Sequence, residues 1–192
     1  MSGNDRPTAP RSVCVYMGSR NGHEDHWRGA AEAVGRSIAR RGWQLVYGGG
    51  RTGLMGACAD AALTAGGRVV GVIPDHLAER EVAHTGLDEL VRVPDMHTRK
   101  AQMAVRSDAF VTLPGGIGTL EEFFEIWTWR YLGLHAKPFG LLNHRHFFDP
   151  LLQFLDDTAG AGFLDADTRA SLISADTPEA LLDALFEAHA PR

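Results

Sequence analysis

The sequence predicts an α/β domain built on a parallel sheet with helices on both faces, and three observations carry that prediction. Short β-rich apolar runs alternate with helical segments, which is the pattern of βαβ units. Within those runs consecutive positions are apolar, as in strands covered on both sides. The ends of the strands are rich in glycine, where an open parallel sheet gathers its loops around a ligand.

The elements follow in chain order. Strands are expected at 12–17 (SVCVYM), 44–48 (QLVYG), 68–73 (RVVGVI), 89–93 (ELVRV), 109–113 (AFVTL) and 139–143 (FGLLN). Helices are expected between them at 26–41, 53–65, 96–107, 119–132 and 148–159, with a last one near 178–188. That last helix opens DTPEALL, where Thr177 can cap, Pro178 suits the first turn and Glu179 complements the dipole. A chain of 192 residues is long enough for one self-supporting core. We therefore expect a flexible polar tail over 1–11 and a single domain over 12–192.

Composition narrows the function. A hydrophobic content of 44% and a charged content of 22% are ordinary for a globular protein, and a net charge of -5 offers no long basic surface for nucleic acid. No apolar stretch reaches the roughly 18 residues of a membrane span. Cys14 and Cys58 lie far apart with no CxxC spacing, so buried thiols in a reducing cytoplasm are expected. His23 with His26, and His144 with His146, lack a cysteine or carboxylate set at ligand spacing, so no metal is expected.

The glycines ask for more than turns. GSRNG follows the first strand, GGGRTGLMG the second and PGGIGTLEE the fifth. Glycine lets a ligand approach main-chain N–H groups closely, at an entropic cost to folding. Gly18, Ser19, Gly49 and Gly50 are thus candidates, with Gly115, Gly116 and Gly118, for a phosphate-bearing ligand. Gly48 to Gly53 also fits G-x-G-x-x-G, but after the second strand, where the dinucleotide fingerprint follows the first.

In PGGIGTLEE, Thr119 and Glu122 spell a capping box, T-x-x-E. That explains a helix start but not three glycines before it. A glycine-lined helix N-terminus with N–H groups turned outward also suits a phosphate. Further along, Phe123, Phe124, Ile126, Trp127, Trp129 and Tyr131 put apolar mass around nearly the whole helix, and with Leu132, Leu134 and Phe139 they suggest a homodimer contact. In MHTRKAQM, Arg99 and Lys100 open a helix against its dipole, which fits either a solvated basic pair or an active-site pair facing an anion, phosphate or Glu122.

With these motifs in register, the chain resembles the LOG family of cytokinin riboside 5'-monophosphate phosphoribohydrolases. Pro114, Gly115, Gly116, Gly118, Thr119 and Glu122 match PGGxGTxxE, and MHTRK resembles the accompanying MHxRK. YGGGRTGLMG, VIPDHL and REVAH extend the likeness from about Val13 to the final helix. The resemblance implies a Rossmann-like, doubly wound domain, usually dimeric. It implies hydrolysis of the N-glycosidic bond of adenosine-type nucleoside 5'-monophosphates, without a cofactor. By matching position, Arg99 and Glu122 would be catalytic, while Lys100, Glu81, Met96 and the Gly115 to Thr119 loop would line the ligand site. Met17 stands where the family often has cysteine.

Two other functions fit parts of the pattern, a non-catalytic nucleotide carrier or sensor on the same fold and an NAD-dependent enzyme using GGGRTG. A pyridoxal-dependent lysine decarboxylase fits poorly, because it needs a Schiff-base lysine. The chain has only Lys100 and Lys137, and the latter precedes Pro138 and a strand.

Overall fold

The structure, a computed structural model, describes residues 11–78 and 82–187. Seven strands form one parallel sheet: β1 (Ser12–Tyr16), β2 (Gln44–Tyr47), β3 (Arg68–Pro74), β4 (Glu89–Val93), β5 (Ala109–Thr112), β6 (Phe139–Leu142) and β7 (Ile173–Ala175). Their order across the sheet is β4-β3-β2-β1-β5-β6-β7. The chain winds outward from β1 to β4, returns to pair β5 with β1 (Val13 opposite Ala109), and winds outward again. The reversal between β1 and β5 is the switch point of a doubly wound fold, where the two neighbouring loops diverge and leave a crevice.

The helices are α1 (Asp25–Arg40), α2 (Gly53–Thr64), α3 (Asp75–Ala78), α4 (Met96–Val105), α5 (Ile117–Tyr131), α6 (Asp149–Gly160), α7 (Ala166–Ala170) and α8 (Pro178–Glu187). Strand side chains alternate between faces, and the core divides accordingly. Val13, Val15, Leu45, Tyr47, Val69 and Val111 pack with α1, α2 and α8 on one face. Cys14, Tyr16, Val46, Val70, Val72 and Phe110 pack with α4, α5 and α6 on the other. That two-sided cover is why the strands lack a polar alternation in the sequence.

The six expected strands and six expected helices are present, with ends shifted by one or two residues. β7, α3, α7 and a 3₁₀ turn at His144–His146 are additions, each too short to show a periodic signal. At α8 the Thr177 hydroxyl accepts from the Ala180 N–H at 3.3 Å, as its sequence suggests. The expected tail at 1–10 lies outside the described residues. Among the described residues no helix is long and apolar enough to cross a membrane.

Candidate active site

β1 and β5 run into loops that meet over the crevice. The Gly18 N–H donates to the Pro114 carbonyl at 3.4 Å. A side chain at Gly115 would put its Cβ 2.2 Å from Thr119 Oγ1 and 2.9 Å from the Gly18 nitrogen, so only glycine lets the two loops close this tightly. Gly116 and Gly118 have nothing within 4 Å of a would-be Cβ, so both face open space. The cleft beneath has a volume of about 590 Å³ and is lined by both loops and by side chains from α2, α4 and α5.

The start of α5 corrects the expected capping box. Gly116, not Thr119, occupies the N-cap, and no side chain caps the helix. The first α-helical bond runs from the Leu120 N–H to the Gly116 carbonyl at 3.1 Å. Thr119 sits three residues into the helix, 5% exposed and pressed against Gly115. The N–H groups of this first turn have no intrahelical acceptors and carry the positive end of the helix dipole. Glu122 is released from capping and lies about one turn further along, where it lines the cleft. Its charge reaches back to β1. Burial first, then the charges at Cys14 and Glu122, push the Tyr16 hydroxyl well above its usual range, so it stays protonated.

Arg99 reaches the cleft from α4. It is 5% exposed, and its guanidinium is aimed by two carbonyls at the ends of neighbouring strands. Nε donates to Val72 O at 3.1 Å and Nη2 to Gly48 O at 2.6 Å. α4 starts there because the Asp95 carboxylate accepts from the Thr98 N–H at 2.7 Å. That bond holds the Asp95 carboxyl below its ordinary value and supplies part of the negative charge the helix start requires.

Lys100 meets anions, but not the one its position suggested. Its Nζ donates to Glu121 Oε1 at 2.6 Å and to Glu125 Oε1 at 2.9 Å, and the side chain is 9% exposed. Burial pulls the Lys100 ammonium down, but the bonds and charges of the two glutamates outweigh it and the net shift is upward. Lys100 is thus committed to two carboxylates beside the cleft, one of which, Glu121, lines it together with Arg99 and Glu122. Lys137 Nζ is committed to the Ala104 carbonyl at 2.8 Å. Neither lysine of the chain lies in the cleft.

Of the other expected residues, Gly18, Ser19, Met96, Gly115, Gly116 and Gly118 line the cleft. Gly49 and Gly50 do not. Their backbones instead hold the 82–84 segment, the Gly49 carbonyl accepting from the His84 N–H at 3.0 Å and Gly50 bridging to Ala83. His84 in turn contacts Asp60 at 2.9 Å. Of the GGGRTG turn only Gly48 lines the cleft. Glu81 lies outside the described residues. Trp27, in the first turn of α1, and Phe147, just after the His144–His146 turn, line the cleft with ring centroids 5.3 Å apart and carried no sequence signal. The His26 and His144 rings stand 5.4 Å apart, but among the described residues no group of three His, Cys, Asp or Glu could hold a metal.

A Rossmann-like sheet with a helix N-terminus, an arginine and a carboxylate converging on one cleft at its switch point defines the class: a doubly wound α/β protein with its cleft at the carboxyl ends of the strands. Comparison with known proteins narrows the class. The family model described as "Possible lysine decarboxylase" matches residues 55–185. The cytokinin riboside 5'-monophosphate phosphoribohydrolase of Rhodococcoides fascians is 52% identical over 171 residues, 88% of this chain and 86% of that protein. The rice (Oryza sativa subsp. japonica) enzyme of the same name, LOG, is 47% identical over 165 residues, 86% of this chain and 68% of that protein. Among solved structures, the molybdenum cofactor binding protein of Rippkaea orientalis superposes with a TM-score of 0.69 at 21% identity, covering 94% of this chain and 98% of that one. The Moco carrier protein of Chlamydomonas reinhardtii gives 0.67 at 22%, covering 93% and 96%. At such identities these two speak for the fold alone. The chain belongs to the LOG family and is an enzyme of the phosphoribohydrolase kind.

Proposed function

We propose that this enzyme hydrolyses the N-glycosidic bond of adenosine-type nucleoside 5'-monophosphates, cytokinin riboside 5'-monophosphate or AMP, releasing the free base and ribose 5-phosphate. The observation that carries the reading is the convergence of Glu122, Arg99 and the Gly115–Thr119 helix start on one cleft. In this reading the 5'-phosphate binds the first-turn N–H groups of α5, as anions do at helix N-termini. Binding energy from that remote group then holds the anomeric carbon in place.

As the carbon–nitrogen bond breaks, its electron pair leaves with the base and positive charge builds on the ribose ring. The Glu122 carboxylate stabilises that charge and takes the proton of the attacking water, a role worth about 10² to 10⁴ in rate. The water oxygen bonds to the anomeric carbon, and the proton taken up by Glu122 passes through water to the departing base, which leaves neutral and returns the carboxylate to its ionised form. The Arg99 guanidinium anchors the ribose or phosphate, and its charge favours the ionised carboxylate. The chemistry asks for no cofactor.

The same reading makes the enzyme cytoplasmic, in keeping with two free buried cysteines, and a homodimer. α5 is not buried all round, as its sequence suggested. It turns Phe123, Ile126 and Trp127 inward and leaves Phe124 and Tyr131 exposed, while Phe139 is a core residue of β6. With Phe154 and Phe163, Phe124 and Tyr131 line an apolar groove of about 770 Å³ that suits a second copy. The test of function is to incubate the protein with AMP and with a prenylated analogue and follow free base. Release from the monophosphates, with the unphosphorylated nucleoside a poor substrate, is expected. Binding without release would leave a carrier instead.

A further inference from the structure

Residues 99 and 100 are neighbours on α4, yet they tie it to opposite sides of the crevice. Arg99 is bonded to the ends of β2 and β3, through Gly48 and Val72. Lys100 is bonded to α5, through Glu121 and Glu125. Successive residues on a helix diverge by about 100°, so one short helix grips both halves of the site. Glu121, Glu122 and Glu125 place three carboxylates within two turns of α5, and like charges one turn apart repel. A nearly buried ammonium between Glu121 and Glu125 removes that repulsion and pins the turn that carries Glu122.

We infer that Lys100 and Glu125 are positioning residues: their ion pair fixes α5 against α4 so that the Glu122 carboxylate faces the cleft in register with Arg99. This rests on the function proposed above. The anion-binding loop is held separately, by the Gly18–Pro114 bond and the packing of Gly115 on Thr119. Losing the clamp therefore disturbs the carboxylate more than the phosphate site, and the loss falls on kcat rather than KM. Glu125 does not line the cleft, so no direct contact with substrate can account for an effect at that position.

The experiment compares steady-state release of adenine from AMP by the wild type, Lys100→Met, Lys100→Arg, Glu125→Gln and the Lys100→Met/Glu125→Gln double variant. Misplacement of a reacting group by about an ångström costs on the order of 100-fold. We expect kcat to fall about 10- to 100-fold in Lys100→Met and Glu125→Gln with KM within about twofold. The double variant should be no worse than Lys100→Met, as for two residues acting as one unit, and Lys100→Arg should recover most of the rate. A KM increase in Lys100→Met with an unaffected Glu125→Gln would make Lys100 a substrate contact and overturn the inference. Additive losses, or normal kcat in Glu125→Gln, would do the same, and the Glu125 variant keeps the test open if Lys100→Met fails to fold. A wild type that releases no base refutes the functional reading, and the inference falls with it.

Discussion

Gly48 holds the aim of Arg99, and replacing it tests that geometry without touching a charged group. The Cβ of a Gly48→Ala variant would lie 2.2 Å from Arg99 Nη2 and 3.1 Å from Cζ, well inside any contact distance. Gly48 is not among the positive-φ glycines, so alanine brings no backbone strain and the effect comes from the collision alone. The guanidinium has to swing away, which breaks its 2.6 Å bond to the Gly48 carbonyl and strains the 3.1 Å bond to Val72 O. A hydrogen bond from a charged donor contributes about 1.5–3 kcal/mol. Losing one should lower the melting temperature by roughly 3–12 °C in a domain of this size. If Arg99 meets substrate as proposed, kcat/KM should fall by about 10- to 100-fold, since about 1.4 kcal/mol is a factor of ten. The assays are a thermal melt and base release from AMP. Wild-type melting with wild-type turnover would mean that Arg99 is not held as described or does not matter to the reaction.

Other outcomes follow from single contacts. Gly115→Ala must separate the loops after β1 and β5, so it should destabilise the protein by about 1–3 kcal/mol and weaken ribose 5-phosphate binding. Gly118→Ala, with open space around its Cβ, should melt near the wild type, and equal melting of the two variants would contradict the loop geometry. Cys58 is fully buried and its thiol is pushed up to about 12, chiefly by burial. Neither it nor Cys14 should react with a thiol reagent at neutral pH until denaturant is added; rapid native labelling would count against the core described. The Lys100 ion pairs raise the folded pKa above the ordinary 10.5. Their stabilisation is therefore complete below that value and is lost as pH climbs through the folded one; denaturation across the alkaline range should show a Lys100-dependent decline there and none near neutrality. Phe154→Glu should dissociate the proposed dimer in sedimentation experiments, and an unchanged mass would move the interface elsewhere.

The sheet was legible because burial on both faces writes continuous apolar runs, and β1 to β6 each left one. β7 did not, being two half-buried residues around an exposed Ser174, whose place is set by α8 and β6. The cleft could be located from glycines at strand ends, since a close main-chain approach leaves a composition signal at the position concerned. Partnerships across the fold leave none. T-x-x-E in PGGIGTLEE is a valid cap pattern, yet glycine at 116 takes the cap because the chain must already be turning under Gly18. Lys100 announced a need for an anion but not which carboxylate would meet it, because Glu121, Glu122 and Glu125 lie too close in sequence for spacing to choose. Trp27 and Phe147 come together only through the tertiary fold.

In the proposed reaction a carboxylate at 122 stabilises a ribosyl carbon as its base departs. The most direct measurement is the turnover of AMP by Glu122→Gln, alongside binding of ribose 5-phosphate by the same variant. The amide keeps the shape and loses the charge, so free base should fall by about 10² or more while ligand binding persists. Hydrolysis at the wild-type rate would contradict the account.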